Sequence, residues 1–371
     1  MSSPGSTVPS LSLRLTLLPL AVLASVIIMV LIMRARSITP AVGLMELTFH
    51  PAHQVREHQQ AAPSLDPYRG LGGWLDVFDY SLAYSGDAGP AIAPAAAVQE
   101  MADAGVGTLF IQGARRDERS PGLIEDRWQL AETLMAAHER DIAVVAWFLP
   151  RFDGPDDAGN SEDARRIEAL LDFEVMGHRF DGIALDIEAD PEPEPEVLDA
   201  RNRELIRLSS VVDFLAENAG AGPMPVGAIV LPPPLIEDVN PRFWPDFPWM
   251  EISGFYDVWL PMAYWSGRSN ESGLGDGYGY SAESARRIRT NIAQPDAPMH
   301  VIGGIGGVAG ERDFTSAEIL ASTEDYGAFV QSLVDERALG GSIYDWLTQD
   351  QTARSLMNEL FATGPASKLG Q

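Results

Sequence analysis

The stretch His178-Arg-Phe-Asp-Gly-Ile-Ala-Leu-Asp-Ile-Glu188 decides how this chain is read. Within it, Gly182–Glu188 has the length of a strand. Successive side chains of a strand point to opposite faces, so Ala184, Asp186 and Glu188 share one face. A strand that ends on two acids of the same face places chemistry at its C-terminal end.

Outward from this strand the pattern repeats. Short apolar runs predict strands at 73–80, 108–112, 143–149, 182–188, 226–231, 258–265, 299–304 and 342–346. Helical patterns fall between them, near 92–104, 123–140, 161–177, 198–218, 281–293 and 323–338, with 350–362 after the last strand. Ser161-Glu-Asp and Ser281-Ala-Glu-Ser look like helix starts. Eight strands, each followed by a helix or a long loop over about 290 residues, predict an α/β fold of the (β/α)8 TIM-barrel type. A doubly wound open sheet is the alternative, weakened because the first strand–helix turn lacks a phosphate-binding glycine fingerprint.

In such barrels the active site lies at the C-terminal ends of the strands. Two carboxyl groups held together in a confined mouth cannot both ionise freely, which gives a protonated acid beside an ionised partner near neutral pH. That pairing suits protonation of a glycosidic oxygen while positive charge grows at the sugar carbon. The spacing alone fits equally a buried Asp bonded to a backbone amide and a surface Glu at a strand end.

Phe180-Asp-Gly-Ile-Ala-Leu-Asp-Ile-Glu188 resembles the Phe-Asp-Gly-x-Asp-x-Asp-x-Glu motif of family 18 glycoside hydrolases, the chitinase-like TIM barrels. The resemblance implies that Glu188 is the general acid and that Asp186 supports a substrate N-acetyl group. It maps the leading Asp onto Asp181. Ala184 stands where the family pattern has its middle Asp, a departure that alters how Asp186 is charged. On the sixth strand, Trp259-Leu-Pro-Met-Ala-Tyr264 resembles the family's Met-x-Tyr element, which implies a contact from the Tyr264 hydroxyl to the N-acetyl oxygen, with Met262 on the same face. Packing in the barrel core is the plainer reading of that Met and Tyr. The eighth strand, Gly340-Gly-Ser-Ile-Tyr-Asp-Trp346, is similar to the family's Gly-Gly-x-x-x-Trp ending, except that Trp346 falls one residue late and Asp345 takes the expected place.

The seventh strand, Met299-His-Val-Ile-Gly-Gly-Ile305, has no carboxylate. This argues against a barrel glycosidase with its own nucleophile and favours the substrate-assisted route that the resemblance implies. Further substrate contacts are expected of Trp74 and Asp76 on the first strand and of Trp147 on the third, with Asp79, Arg151, Trp244, Trp249 and Trp265 as weaker candidates. No metal is expected, because no His-x-His or His-Glu-x-x-His spacing occurs. No cofactor is expected either. Gly303-Gly-Ile-Gly-Gly-Val-Ala-Gly310 lacks the Lys-Ser/Thr ending of a P-loop and reads as a loop at the barrel mouth.

Composition narrows the partners. The 371 residues include 26 basic and 53 acidic side chains, a net charge of -27 that disfavours nucleic acid. There is no cysteine, so disulfides, thiolate metal sites and a Cys nucleophile are excluded. Leu15–Met33 is uninterrupted apolar sequence between Arg14 and the pair Arg34 and Arg36, long enough to span a bilayer. It is read as an uncleaved signal anchor, with a cleaved signal peptide as the alternative. The expected organisation is therefore a cytoplasmic tail (1–14), a transmembrane anchor (15–33), a linker (34–70), an extracytoplasmic barrel (71–364) and a disordered tail (365–371). The expected activity is hydrolysis of a β-linked, N-acetylated glycan. The alternative is a lectin-like envelope barrel that binds a glycan without cleaving it, for which Ala184 is the main support.

Overall fold

A computed structural model describes residues 62–85, 92–155, 159, 161–189, 194–220, 222–267, 275–304 and 323–369. The proposed anchor at 15–33 and the glycine-rich segment beyond Gly304 lie outside the described residues. Among the described residues no helix is long and apolar enough to cross a membrane.

Eight parallel strands make one sheet: β1 (Gly70–Leu75), β2 (Thr108–Arg115), β3 (Ala143–Leu149), β4 (Gly182–Ile187), β5 (Val226–Val230), β6 (Val258–Pro261), β7 (His300–Gly304) and β8 (Gly340–Tyr344). Each pairs with its sequence neighbour, and β8 pairs with β1. Parallel bridges Trp259–Met299 and Met262–Ile302 join β6 to β7 and close the ring. A closed ring of this order is a TIM barrel, and it rules out the doubly wound sheet.

The outer helices are α1 (Pro94–Asp103), α2 (Arg127–His138), α3 (Glu162–Leu171), α4 (Pro195–Glu217), α5 (Gly277–Asn291), α6 (Tyr326–Asp335) and α7 (Gln351–Ala362). Their starts follow from local chemistry. Asp126, Ser161, Asp276 and Asp350 cap α2, α3, α5 and α7 by accepting from free first-turn amides. Pro94 and Pro195 open α1 and α4, where a missing N–H costs nothing. Between β5 and β6 there is only a short π-helical turn, Pro234–Val239, and a one-turn helix, Trp249–Ile252.

Two domain limits differ from the expectation. Tyr68, placed in the linker, is fully buried and its hydroxyl donates to the Ile183 carbonyl at 2.7 Å, so the barrel takes in chain before residue 71. The ring plugs the N-terminal end of the barrel; a Cβ on Gly227 would stand 2.9 Å from it, which is why that position has no side chain. At the other end, Pro365–Lys368 forms a 3-10 turn with Ala366 buried, where a disordered tail was expected.

Above Tyr68 the barrel interior holds a chain of hydrogen bonds. Trp74 Nε1 donates to Ser342 Oγ at 2.7 Å, Ser342 Oγ lies 3.0 Å from His300 Nε2, and His300 Nδ1 lies 2.9 Å from the Tyr68 carbonyl. The carbonyl only accepts, so His300 carries its proton on Nδ1 and takes the serine proton at Nε2. Burial pushes this His down to about 4, which keeps it neutral.

Candidate active site

The mouth is built on this floor, from the C-terminal ends of β1, β3, β4, β6 and β8. On β4, Ala184 and Asp186 face inward and are buried, and Glu188 lies just past the strand end, half-buried, where it lines an open cleft. Burial raises the Asp186 carboxyl well above its usual value, and the charge of Glu188 raises it further. Asp186 Oδ1 has no hydrogen-bond partner among the described residues. A buried, unpartnered carboxyl oxygen is costly unless a ligand or a proton satisfies it.

On β6 the regular strand stops at Pro261, four residues before the expected end. Amides 263, 264 and 265 then bond back to carbonyls 261, 262 and 263, each at 2.9 Å. These tight turns carry Tyr264 over the mouth, where its ring lies 5.7 Å from Tyr344. Burial raises the Tyr264 hydroxyl well above its usual value, and the charges of Asp186, Glu188, Asp345 and Asp76 add to this in that order. One phenol thus stands within electrostatic reach of four carboxyl groups from three strand ends. Met262, nearly buried, bridges to Ile302 below it.

A second acid group sits on the β1–β8 side. The first strand ends at Leu75, and Asp76 is the N-cap of a one-turn helix, Val77–Tyr80. Asp76 Oδ1 accepts from Phe78 N at 2.7 Å and Asp79 N at 3.2 Å, and Asp79 Oδ2 accepts from Asp76 N at 2.9 Å, a reciprocal capping box. The Tyr344 hydroxyl donates to Asp76 Oδ2 at 2.9 Å. Asp345 Oδ1 accepts from Thr348 N at 2.9 Å. Asp79 Oδ1 and Asp345 Oδ2 have no partner among the described residues. Burial first, then Asp76 and Asp345, push Asp79 up to about 9; burial and Asp76 push Asp345 up to about 7. Asp76, Asp79 and Asp345 each offer an oxygen within 4.8 Å of the others, a hard-donor set. Held without a cation, the group keeps at least one proton near neutral pH.

The expected site residues separate into two sets. Asp186, Glu188, Tyr264, Asp345 and Asp76 come together around the mouth, with Met262 beneath. Trp147 is buried, edge-on to Trp74 at 6.1 Å, with its Nε1 unpartnered among the described residues. Trp74 is floor: it stacks on Phe110 at 4.4 Å and its indole N–H is already spent on Ser342. Asp181 is at the wrong end. It precedes β4, accepts from Val144 N at 2.7 Å and sits 2.9 Å from His138 Nε2, and at about 3.3 Å per residue it lies roughly 16 Å below Asp186. Trp346 is also displaced, because β8 ends at Tyr344 and the chain turns outward. Its ring is buried under the Arg354 guanidinium at 4.1 Å, so no sugar can stack on it. Trp244, Trp249 and Trp265 are buried in packing among other aromatic rings.

Two mouth residues escape a sequence reading. Tyr344 shares the inner face with Ser342 and sits one step short of Trp346, the residue that the family pattern favours. Arg115 is hidden by a bulge between Gln112 and Ala114, which shifts the register so that Arg115 pairs with Leu149 and turns inward.

This geometry has counterparts among solved structures. A family 18 chitinase from Cycas revoluta, solved with allosamidin, superposes with a TM-score of 0.52 over 78% of this chain and 99% of that chain, at 11% identity. The PgaB (BpsB) glycoside hydrolase domain from Bordetella bronchiseptica gives 0.51 over 78% and 98%, at 12% identity. The fold is that of the chitinase-like glycoside hydrolases. The C-terminal domain of a putative chitinase from Desulfitobacterium hafniense gives a further chitinase-like match, 0.52 over 78% and 99%, at 11% identity. No protein-family model matches the chain, and no curated protein matches it by sequence. At such identities the likeness extends to the fold, and any activity must be argued from the side chains.

Proposed function

We propose that the protein is a glycoside hydrolase that cleaves a β-linked, N-acetylated glycan, of the chitin or peptidoglycan type, by general-acid, substrate-assisted catalysis. The observation that supports it most is the pair of acids at the end of β4: Asp186, its Oδ1 unpartnered among the described residues and its carboxyl raised by burial and then by the charge of Glu188, beside a Glu188 that lines the cleft. The fold likeness to chitinases and a glycoside hydrolase domain agrees with it.

The pair holds one proton. When an acetamido N–H donates to Asp186 Oδ1, the ionised form of Asp186 gains a charge-assisted hydrogen bond and the proton settles on Glu188. Glu188 passes it to the glycosidic oxygen as the bond to the anomeric carbon breaks. The acetamido oxygen closes on that carbon, with its developing polarity held by the Tyr264 hydroxyl. Glu188, now a carboxylate, removes a proton from water as the water opens the ring intermediate. No enzymic nucleophile is needed, in keeping with the acid-free β7. Asp76 is held by three donors and Asp345 is sealed off, so neither is placed to attack a sugar.

Glu188→Gln is expected to cut hydrolysis of N-acetylglucosamine oligomers by about 10²–10⁴-fold without unfolding the protein; a purified variant as active as the wild type contradicts the assignment. Ala184 favours a second reading, a barrel that binds the glycan without cleaving it, because Asp186 has no acid beneath it with which to share a proton. Binding of those oligomers with no product after long incubation would establish that reading instead. The apolar run at 15–33 adds a proposed membrane tether with the barrel outside, tested by protease access to the barrel on intact cells.

A further inference from the structure

The cleft that Glu188 lines has a volume of about 710 Å³, and its wall includes Arg115, Arg116, Arg151 and Arg201. Four guanidinium groups in one cleft run against the character of a chain with a net charge of -27. Acids account for part of this charge, and Arg115 lies within electrostatic reach of Asp76, Asp186 and Glu125. Asp117 is held in a fork by Arg119, at 2.9 and 2.8 Å, and Asp153 is held by Arg116 at 2.5 Å. Arg116 also reaches the buried Asp163 at 3.3 Å, so it is committed to the scaffold. Arg115 and Arg151 make no ion pair among the described residues. Arg115 rests over the Phe78 ring at 5.0 Å, which steadies the guanidinium without neutralising it. Its position is rigid, since it ends β2 in register with Leu149. Arg151 follows β3 on the same rim and is exposed.

We infer that this cleft recognises a carboxylate on the sugar next to the cleaved bond, so that the substrate is an acidic N-acetylated glycan rather than a neutral one. The inference rests on the hydrolase reading for its placement of Glu188. A guanidinium presents paired donors in a plane that matches a carboxylate, and Arg115 and Arg151 flank the cleft as two such forks. A neutral chitin chain would desolvate both guanidinium groups on binding and bring them no carboxylate in return. The local positive wall also overcomes the repulsion that the rest of the surface imposes on an anionic polymer. The carboxylate could belong to a lactyl ether or to a uronic acid; both present the same group to the arginines.

The test compares three oligosaccharides of equal length: one alternating N-acetylglucosamine with its lactyl ether, the same oligomer with its carboxyl groups amidated, and one alternating N-acetylglucosamine with a uronic acid. The expected kcat/KM is at least about tenfold higher for one of the acidic oligomers than for the amide, as charge-assisted bonds predict. Arg151→Gln and Arg115→Gln should each bring that ratio toward one. Whichever acidic oligomer shows the preference identifies the source of the carboxylate. Calorimetric binding to Glu188→Gln separates the two claims. Tighter binding of an acidic oligomer with no cleavage of anything by wild type upholds the carboxylate site and removes the hydrolase reading. Cleavage of acidic and amidated oligomers at equal rates, or a preference that survives the Arg115→Gln/Arg151→Gln double variant, overturns the carboxylate site and leaves the hydrolase reading intact.

Discussion

Two groups of acids lie within electrostatic reach of Tyr264, and their difference shows how environment assigns roles to one residue type. On the β4 side, the buried Asp186 Oδ1 has no hydrogen-bond partner among the described residues and its neighbour Glu188 opens onto a cleft, an arrangement suited to passing a proton to a ligand. On the β1–β8 side, Asp76, Asp79 and Asp345 are equally acidic in sequence, yet all three are sealed from solvent and spend oxygens on backbone amides and on Tyr344. The first group is arranged for transfer and the second for holding the mouth together.

The sharpest way to break this contrast is to neutralise one acid on each side. Glu188→Gln should cost about 10²–10⁴-fold in kcat, the usual range for a general acid. Asp345→Asn should cost far less in kcat, and a comparable loss in a well-folded variant would erase the distinction. Tyr264→Phe comes next: removal of one donor aimed at developing charge predicts a fall of about 10²-fold in kcat at unchanged fold, read by steady-state kinetics.

The third effect is on stability. Asp79 is raised to about 9 in the folded chain, whereas an unfolded Asp titrates near about 4. The folded state therefore binds the extra proton between these values, and stability is fullest below pH 4 and declines as pH rises toward 9. Asp79→Asn removes this proton uptake. It should flatten the decline and raise Tm at pH 8 by about 1–2 °C, as a gain of roughly 1 kcal/mol does in a barrel of about 300 residues. A Tm–pH curve parallel to wild type would show that Asp79 is ionised and that a cation, not a proton, balances the group. The smallest effect on activity belongs to Asp181→Asn, at the far end of β4. It should lower stability by about 1 kcal/mol through weakened bonds to Val144 and His138 and leave kcat within about twofold.

The fold was legible because periodicity is local. All eight strands lie where short apolar runs predicted them, and Ala143–Leu149 matches at both ends. The errors gather at strand ends, where side-chain capping competes with the ladder. Trp74, Asp76 and Tyr80 alternate well enough to read as strand, yet the Asp76-x-x-Asp79 pair caps a helix. Asp345 and Thr348 likewise close a turn that stops β8 before Trp346. Asp181 illustrates a different limit: a motif names residues without saying which end of the strand each occupies, and the leading Asp here fastens the N-terminal rim. Arg115 was hidden for a third reason, since one bulge in β2 reverses its facing relative to simple alternation.

Substrate assistance by an acetamido group has a stereochemical signature that no other part of the account supplies. Attack from within the sugar and then by water inverts the anomeric carbon twice, so proton NMR of freshly released product should show the β-anomer first, followed by mutarotation. The account predicts that β signal from wild type and its loss with an oligomer whose N-acetyl groups are removed. Initial release of the α-anomer, or equal turnover of the deacetylated oligomer, would contradict it.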